Sequence, residues 1–547
     1  MKQIKEDIRE LISSILQELA AKQSGGKAAD DSAAAPKSIK IIVETPPKPE
    51  LGDLAFPMFP FAKMFKTSPQ KIAEMVQDEL EKRRSKLSFS GTAAGPYVNI
   101  RIDTTAYSEK VIEEVLEKGD AYGRSELLSG RKVMIEFSCP NTNKPLHLGH
   151  MRNDAIGESV ARLFEGCGSE VRKVNLINDR GIHICKSMLA YKRFGEGKTP
   201  ESEGIKSDHF VGNYYVAYNK WQEEDSSAEQ QARDMLIRWE QGDPETVELW
   251  KLMNTWAIDG IEETYKNTGV SFDHIYYESE TYKLGKQEVV KGYEDGIFYK
   301  DESGAVFVDL QDINLDKKVL LRGDGTSLYM TQDVGTAIQR HRDWPFTRMI
   351  YVVGSEQQYH FQVLFHILQK LGYTWADNLH HLSYGMVNLT EGKMKSREGT
   401  VVDADDILAE LAGLAEAEIR EKGREDEMEN PRETAEKIAL GALHFYLLQT
   451  SPGKDMIFEP QKSISFTGNT GPYLQYTCAR ISTMLQKYEE RKSSIGDGDF
   501  SAEFLTVPEE WELIKNIGRF QEVLEKSCTE LNPGLLAGYL YDTAKTF

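Results

Sequence analysis

Apolar residues recur at helical spacing over the first 21 positions, where Ile4, Ile8, Leu11, Ile12, Ile15 and Leu19 share one face. The pattern then lapses: residues 22–37, which include QSGGKAADDSAAAPK, are a low-complexity linker or mobile loop. From 38 to about 125 the pattern predicts a small α/β module, with a strand at Ile39–Glu44, a helix at Pro69–Lys82 and a closing strand at Tyr97–Ile102. Residues 131–178 read as a βαβ unit. Its first strand is Val133–Phe137. Its helix turns Met151, Ala155, Val160, Leu163 and Phe164 inward and stops at Gly166 and Gly168, and its second strand is Val171–Ile177. A unit this compact predicts a right-handed crossover in a parallel sheet. Residues 195 to about 300 are charged, Trp-rich and helical in spacing, which predicts an insertion. The sheet is expected to resume at Val306–Leu310, Met349–Val353 and His381–Val387. From about 405 onward the spacing is helical throughout. Leu535, Leu536, Tyr539, Leu540, Ala544 and Phe547 keep it with no capping residue after them, so the chain is expected to be truncated inside a helix. The expected fold class is α/β: a doubly wound, parallel, Rossmann-like domain over 126–405 with a helical insertion at about 195–300, an N-terminal α/β domain over 1–125 and an all-α bundle over 406–547.

Composition narrows the picture little. The length of 547 residues suits three to four domains at ~150 residues each. No run of ~18 apolar residues is present, so no membrane span is expected. The N-terminus lacks the apolar core and cleavage site of a signal peptide. Five scattered cysteines with no C-x-x-C pair fit reduced thiols and a cytoplasmic location better than disulfides or zinc, and no protein-bound metal is expected. A net charge of −21 argues against a broadly basic nucleic-acid surface but leaves room for a local one.

The chemistry concentrates in two stretches. Glu136-Phe137-Ser138-Cys139-Pro140-Asn141-Thr142-Asn143-Lys144-Pro145-Leu146-His147-Leu148-Gly149-His150 leaves a strand and opens a helix, where helix N–H groups bind anions. Glycine lets an adenine or ribose approach the backbone, and two imidazoles can donate to phosphate oxygens as charge builds on phosphorus. Alone, His147 and His150 could be a chance pair at a helix start. The second stretch, Glu391-Gly392-Lys393-Met394-Lys395-Ser396-Arg397-Glu398-Gly399-Thr400, brackets three cations with glycines. Alone it reads as a solvated basic turn. In so acidic a chain it reads better as a loop that steadies a departing pyrophosphate.

Together these stretches resemble the two signatures of the class I aminoacyl-tRNA synthetases, and EFSCPNTNKPLHLGH resembles the arginyl-tRNA synthetase form. So do Leu328-Tyr329-Met330-Thr331-Gln332-Asp333-Val334-Gly335-Thr336 and Tyr351-Val352-Val353-Gly354-Ser355-Glu356-Gln357-Gln358-Tyr359-His360. Glu50-Leu51-Gly52-Asp53-Leu54-Ala55 and Ala94-Gly95-Pro96-Tyr97-Val98-Asn99-Ile100 resemble that family's N-terminal domain. Asn469-Thr470-Gly471-Pro472-Tyr473-Leu474-Gln475-Tyr476 resembles the start of its anticodon-binding helices. The resemblance covers nearly the whole chain. It implies ATP-dependent activation of L-arginine and transfer to tRNA-Arg, with magnesium riding on ATP, by a monomer with no membrane partner.

The resemblance also assigns roles. Glu136 and Asp333 take the guanidinium with the Tyr329 hydroxyl, and Asn141 and Gln357 hold the α-amino and carboxylate end. His147, His150, His360, Lys393, Met394 and Ser396 meet ATP; His147, Gly149, His150, Lys144 and Lys393 carry the chemistry. A planar, permanently charged guanidinium suits paired carboxylates. Two departures stand out. Ser396 occupies the fourth place of the second signature, where many class I enzymes have lysine, and Lys144 stands where a compensating lysine is found. The leaving phosphates are therefore assigned first to Lys144 and second to Lys393, with Lys395 solvated. Cys139 replaces the family's usual serine, with no sequence-neighbouring cation to activate it.

Two rivals remain at this point. A small nucleotidylyltransferase shares the H-x-G-H chemistry but has no use for the C-terminal helices. A non-catalytic tRNA-binding relative would be expected to have lost some of Glu136, His147, His150 and Asp333.

Overall fold

The computed structural model describes residues 2–23, 41–83, 88–389, 402–421, 423, 428–495 and 501–547, which divide into two compact units. The larger, residues 125–485 and 524–541, is built on a parallel sheet. Three strands of the smaller unit precede it in the chain: β1 (Leu54–Pro57), β2 (Phe89–Ala94) and β3 (Tyr97–Ile102). The sheet's own strands are β4 (Lys132–Glu136), β5 (Glu170–Ile177), β6 (His274–Tyr277), β10 (Arg348–Gly354) and β11 (Leu379–Tyr384), in the order β11-β10-β4-β5-β6. Between β6 and β10 lie β7 (Tyr299–Lys300), β8 (Val306–Val308) and β9 (Lys318–Leu321), which form a separate antiparallel sheet. β12 (Val387–Leu389) pairs in parallel with β13 (Met456–Phe458).

Strands covered on both faces read as continuous apolar runs, and β4 and β10 do so. Their period of two sorts the side chains. Val133, Ile135, Phe137, Ile350 and Val352 join a cluster with the helix Leu148–Gly166. Met134, Met349 and Tyr351 join another with the helices Tyr329–Asp343 and Gln358–Lys370. Glu136 has the parity of Met134, so the alternation that builds the core also aims this carboxylate at the helix Tyr329–Asp343. The chain leaves β4 for β5 on one side and later returns to β10 on the other. The junction of β4 and β10 is therefore the switch point where such sheets bind ligands, beyond their C-terminal edge.

The structure corrects the expected element list. Val306–Leu310 does not resume the parallel sheet; β6, inside the stretch read as insertion, does. Charged neighbours masked this four-residue strand. Ile39 and Lys40 lie outside the described residues, and 41–44 make only an isolated bridge, Glu44 to Ala55. The linker from residue 24 and the whole second signature, with Lys393, Met394, Lys395 and Ser396, also lie outside the described residues. The first helices after 405 share a core with the parallel sheet. Ile407, Leu411, Ala439 and Leu443 sit in one cluster with Ile135 and Val160.

The smaller unit comprises residues 1–124, 486–523 and 542–547. It carries the antiparallel sheet β1-β3-β2 under the helices Lys2–Gln23 and Pro69–Glu81, with Ile8, Ile12, Ile15, Phe56, Val76 and Ile100 in its core. Gly52 has φ +125°, and a Cβ there would sit 2.7 Å from the Ile100 carbonyl oxygen, so this turn requires glycine. The neighbouring Asp53 accepts from the Ile102 N–H at 3.0 Å and from the Trp511 indole at 3.3 Å. The 406–547 region thus contributes the helix Pro508–Ile517 to this unit. Among the described residues no helix is long and apolar enough to cross a membrane.

Candidate active site

The chain turns sharply after β4: Ser138 and Cys139 both have left-handed φ, +72° and +49°. Two buried asparagines hold this strained turn. The Ser138 N–H donates to Asn153 Oδ1 at 2.6 Å and the Cys139 N–H to Asn175 Oδ1 at 3.0 Å. Burial pushes the Cys139 thiol well above its usual range, which removes a reactive-thiol role.

The turn delivers the two histidines. His147 Nδ1 accepts from the Gly149 N–H at 3.1 Å, and His150 Nδ1 accepts from the His147 N–H at 3.1 Å. With both Nδ1 atoms accepting, each ring carries its proton on Nε2. Burial, followed by the charge of Lys144, drops His147 to about 4, and burial carries His150 well below its usual value. Both are neutral Nε2–H donors, with ring centres 3.9 Å apart. A Cβ on Gly149 would stand 2.9 Å from the His147 ring, which explains the glycine. Lys144 is near enough to act on both rings and is itself pushed down by burial.

The carboxylates gather at the adjoining strand ends. Glu136 is buried and paired with the buried Arg340, whose guanidinium lies 5.0 Å from the Tyr276 ring centre and 5.8 Å from that of Tyr351. Burial pushes the Glu136 carboxyl up and Arg340 pulls it back; a guanidinium does not give up its proton, so the pair is ionic. Asp333, on the helix Tyr329–Asp343, accepts from His360 at 2.5 Å and adds negative potential at both Glu136 and Glu278. Tyr329 is 72% exposed. It lines a groove of about 980 Å³ with Glu278 and Gln332. Asn141 forms a bridge to Asn178, and Gln357 is exposed; among the described residues neither side chain hydrogen-bonds to another of the expected site residues.

Three charged residues in and around the site escaped the sequence reasoning. Glu278 follows β6 directly, a ligand position in parallel sheets, but β6 itself went unrecognised. Burial raises its carboxyl to about 7, with Arg180 opposing and Asp179 and Asp333 assisting. Arg340, one of three consecutive basic positions from 340 to 342 in the last turn of its helix, carried no local signal of its own. Arg152, fully buried, donates to the carbonyls of Gly385 at 2.6 Å and Lys454 at 2.7 Å and so pins the turn before β12 to the helix Leu148–Gly166.

Asp154 lies beneath the turn. Its oxygens are sealed from solvent and lack hydrogen bonds of good geometry; the nearby Ser138 hydroxyl is shared with Tyr265 at 2.6 Å. Burial lifts its carboxyl to about 8 from an ordinary 3.8. Between those values the unfolded chain has released the proton and the folded one retains it. The stability penalty therefore grows as pH rises from about 4 to 8 and is constant above. Asp154→Asn should raise stability, and with it the thermal midpoint, more at pH 8 than at pH 5, by on the order of 4 kcal/mol, since the penalty grows by about 1.4 kcal/mol per pH unit while the amide's own unmet bonds count equally at both. Calorimetry at the two pH values measures it; equal shifts would show that the carboxyl is not held protonated.

Residues 111–459 match the family model for tRNA synthetases class I (R), catalytic domain. The fold is that of this class. Residues 2–102 match the arginyl tRNA synthetase N terminal domain, and 474–547 the DALR anticodon binding domain. The chain is 58% identical to the arginine–tRNA ligase of Treponema denticola over 93% of its length and 87% of that protein's. It is 45% identical to that of Borrelia hermsii, over 100% and 91%. The arginyl-tRNA synthetase of Thermus thermophilus superposes with a TM-score of 0.74 at 24% identity, covering 98% of this chain and 90% of that one. The chain belongs to the arginyl-tRNA synthetase family.

Proposed function

We propose that the protein activates L-arginine with the magnesium–ATP complex and transfers the arginyl group to the terminal ribose of tRNA-Arg. The observation that carries this reading is the Asp333–Glu278 carboxylate pair beside Tyr329, set at the same sheet edge as the His147–His150 turn. The arginine carboxylate attacks the α-phosphorus, pyrophosphate leaves, and no side chain serves as nucleophile. The Nε2–H groups of His147 and His150 donate to the phosphate oxygens, Lys144 supplies charge, and the protein's part is position and preorganised electrostatics. Asn141 and Gln357 hold the amino acid's α-end, and Glu136, neutralised by Arg340, supports the pocket wall.

The groove beyond Tyr329 takes the tRNA's terminal nucleotides. Its lining has six Lys or Arg (Arg180, Lys186, Arg233, Lys283, Lys286, Arg322) against four carboxylates (Glu229, Glu240, Glu278, Asp324), in a chain with 66 basic and 87 acidic residues. The 1–125 region contacts the tRNA elbow, 126–405 does the chemistry and 406–547 reads the anticodon. The enzyme works as a monomer, in the cytoplasm, and its five free cysteines support that location.

ATP–pyrophosphate exchange screened over all amino acids should respond to arginine alone, and only with tRNA present; exchange with another amino acid would refute the assignment. A guanidinium needs Glu278 ionised, so the KM for arginine should rise about tenfold per pH unit below 7. Glu278→Gln should flatten that profile and raise KM at pH 8; an unaltered profile would remove Glu278 from the pocket.

A further inference from the structure

The helical insertion is tied to the histidine turn by an ion cluster that the chemistry above does not use. The segment 402–404 runs antiparallel beside 146–148: the Leu148 N–H donates to the Val402 carbonyl at 3.2 Å and the Ala404 N–H to the Leu146 carbonyl at 3.1 Å, with Asp403 opposite His147. Asp403 works in two directions. One oxygen caps the helix Ala404–Glu421 by accepting from the Asp405 N–H at 2.8 Å; the other lies 3.3 Å from His209 Nε2. The same Nε2 lies 3.3 Å from Asp405, which also takes the Lys206 ammonium at 2.6 Å. His209 is on the helix Ser207–Glu224, and Lys206 immediately precedes it.

Asp208, His209 and Asp405 have the spacing of a metal site, but the Lys206 ammonium stands among them, 3.4 Å from Asp208 and 2.5 Å from the Thr264 hydroxyl. Two cations against three carboxylates make a closed, nearly balanced cluster without an ion. Hydrogen bonds to Asp403 and Asp405 push His209 up to about 10, so it is charged at neutral pH. Burial works against ionisation of Asp405, but His209 and Lys206 outweigh it and hold the carboxyl at about 2.

We propose that His209, acting through Asp403, is a positioning residue that holds His147 in line with the α-phosphate, so that the insertion sets the alignment of the catalytic turn. The argument is geometric. His147 is the first residue of its helix cap, and the strand-like rung opposite it is anchored sideways by Asp403 and Asp405. Both side chains end on His209. The other supports of the turn lie earlier in the chain: Asn153 and Asn175 hold Ser138 and Cys139, Asn178 pairs with Pro140 and Thr142, and Asn254 accepts from the Thr142 hydroxyl. Loss of the His209 bonds frees Asp403 to satisfy only its own helix cap and removes the lateral restraint on the 402–404 rung. A shift of that kind changes transition-state contacts and leaves the guanidinium pocket, whose carboxylates the cluster does not bond, as it was.

The proposal rests on the adenylate-forming reading, and its test separates the two. With tRNA and wild-type protein, arginine-dependent ATP–pyrophosphate exchange is measured first; no exchange with arginine would defeat the functional reading itself. Given exchange, His209→Ala should lower kcat roughly tenfold, the scale of a lost charge-assisted hydrogen bond, and move the KM for arginine less than twofold. His209→Lys should recover part of the loss. Asp403→Asn should cost about as much as His209→Ala, and the double variant little more than either alone. Unchanged kcat, a loss carried by the arginine KM, or additive losses in the double variant would overturn the proposal. If His209→Ala does not fold, His209→Gln reads the same split, and failure of both to fold would make the cluster structural and overturn it as well.

Discussion

Asp333→Asn raises the KM for arginine on the order of 10²-fold or more and leaves the KM for ATP within a few-fold. Losing one partner of a desolvated, hydrogen-bonded charge pair costs about 2–5 kcal/mol, because the guanidinium then faces an amide that cannot return its charge. The structure adds a reason to expect so clean a split. Asp333 is already engaged at 2.5 Å by His360 and adds to the negative potential at Glu278. The bound guanidinium therefore enters a pocket with excess negative charge, and removing Asp333 removes that excess. The asparagine still hydrogen-bonds to His360, so the neighbouring helix Gln358–Lys370 stays in place. Steady-state kinetics with each substrate varied in turn decides the matter; an effect confined to ATP would place Asp333 in the nucleotide half of the site.

Lys144→Ala lowers the single-turnover rate of adenylate formation by about 10²–10³ and barely alters the KM for arginine. Pyrophosphate departure needs positive charge. Burial keeps His147 and His150 neutral, His147 at about 4, so neither ring supplies that charge. Lys144 lies close enough for its charge to act on both rings. The same comparison should include Lys393→Ala, expected to lose less, and Lys395→Ala, expected to lose least. If Lys395→Ala loses most and Lys144→Ala almost nothing, the compensating role of Lys144 is wrong.

Much of this molecule was legible in its residue order, for identifiable reasons. The βαβ unit announced itself because β4 is buried on both faces, β5 is buried over its second half, and a glycine shortly precedes each strand, so local pattern and tertiary burial agree. Lys2–Gln23 and Tyr97–Ile102 were found for the same reason: one face meets a core, and the periodicity records it. Elements whose place depends on remote partners were not found. β6 has four residues inside a charged, helical stretch, and its pairing with β5 is the only thing that makes it a strand. Val306–Val308 has a strand's composition, but composition does not say which sheet it enters.

The site divides in the same way. The histidine pair, its glycine and the preceding lysine are contiguous because a strand-to-helix turn is a local structure, so the residues around it spell out their own chemistry. The sequence alone also determined the two-face burial of the central strands and the parity that turns Glu136 toward one particular layer. Only the tertiary structure decided what waits there: Arg340, 204 residues on, which occupies the carboxylate first assigned to substrate. It also brought Glu278 from the end of an unrecognised strand to Asp333, and His209 from the insertion to Asp403. These are pairings of charges across long stretches of chain. Periodicity records which face of an element is buried, whereas the partner of a buried charge is set by packing, because desolvation penalises any charge that does not find one.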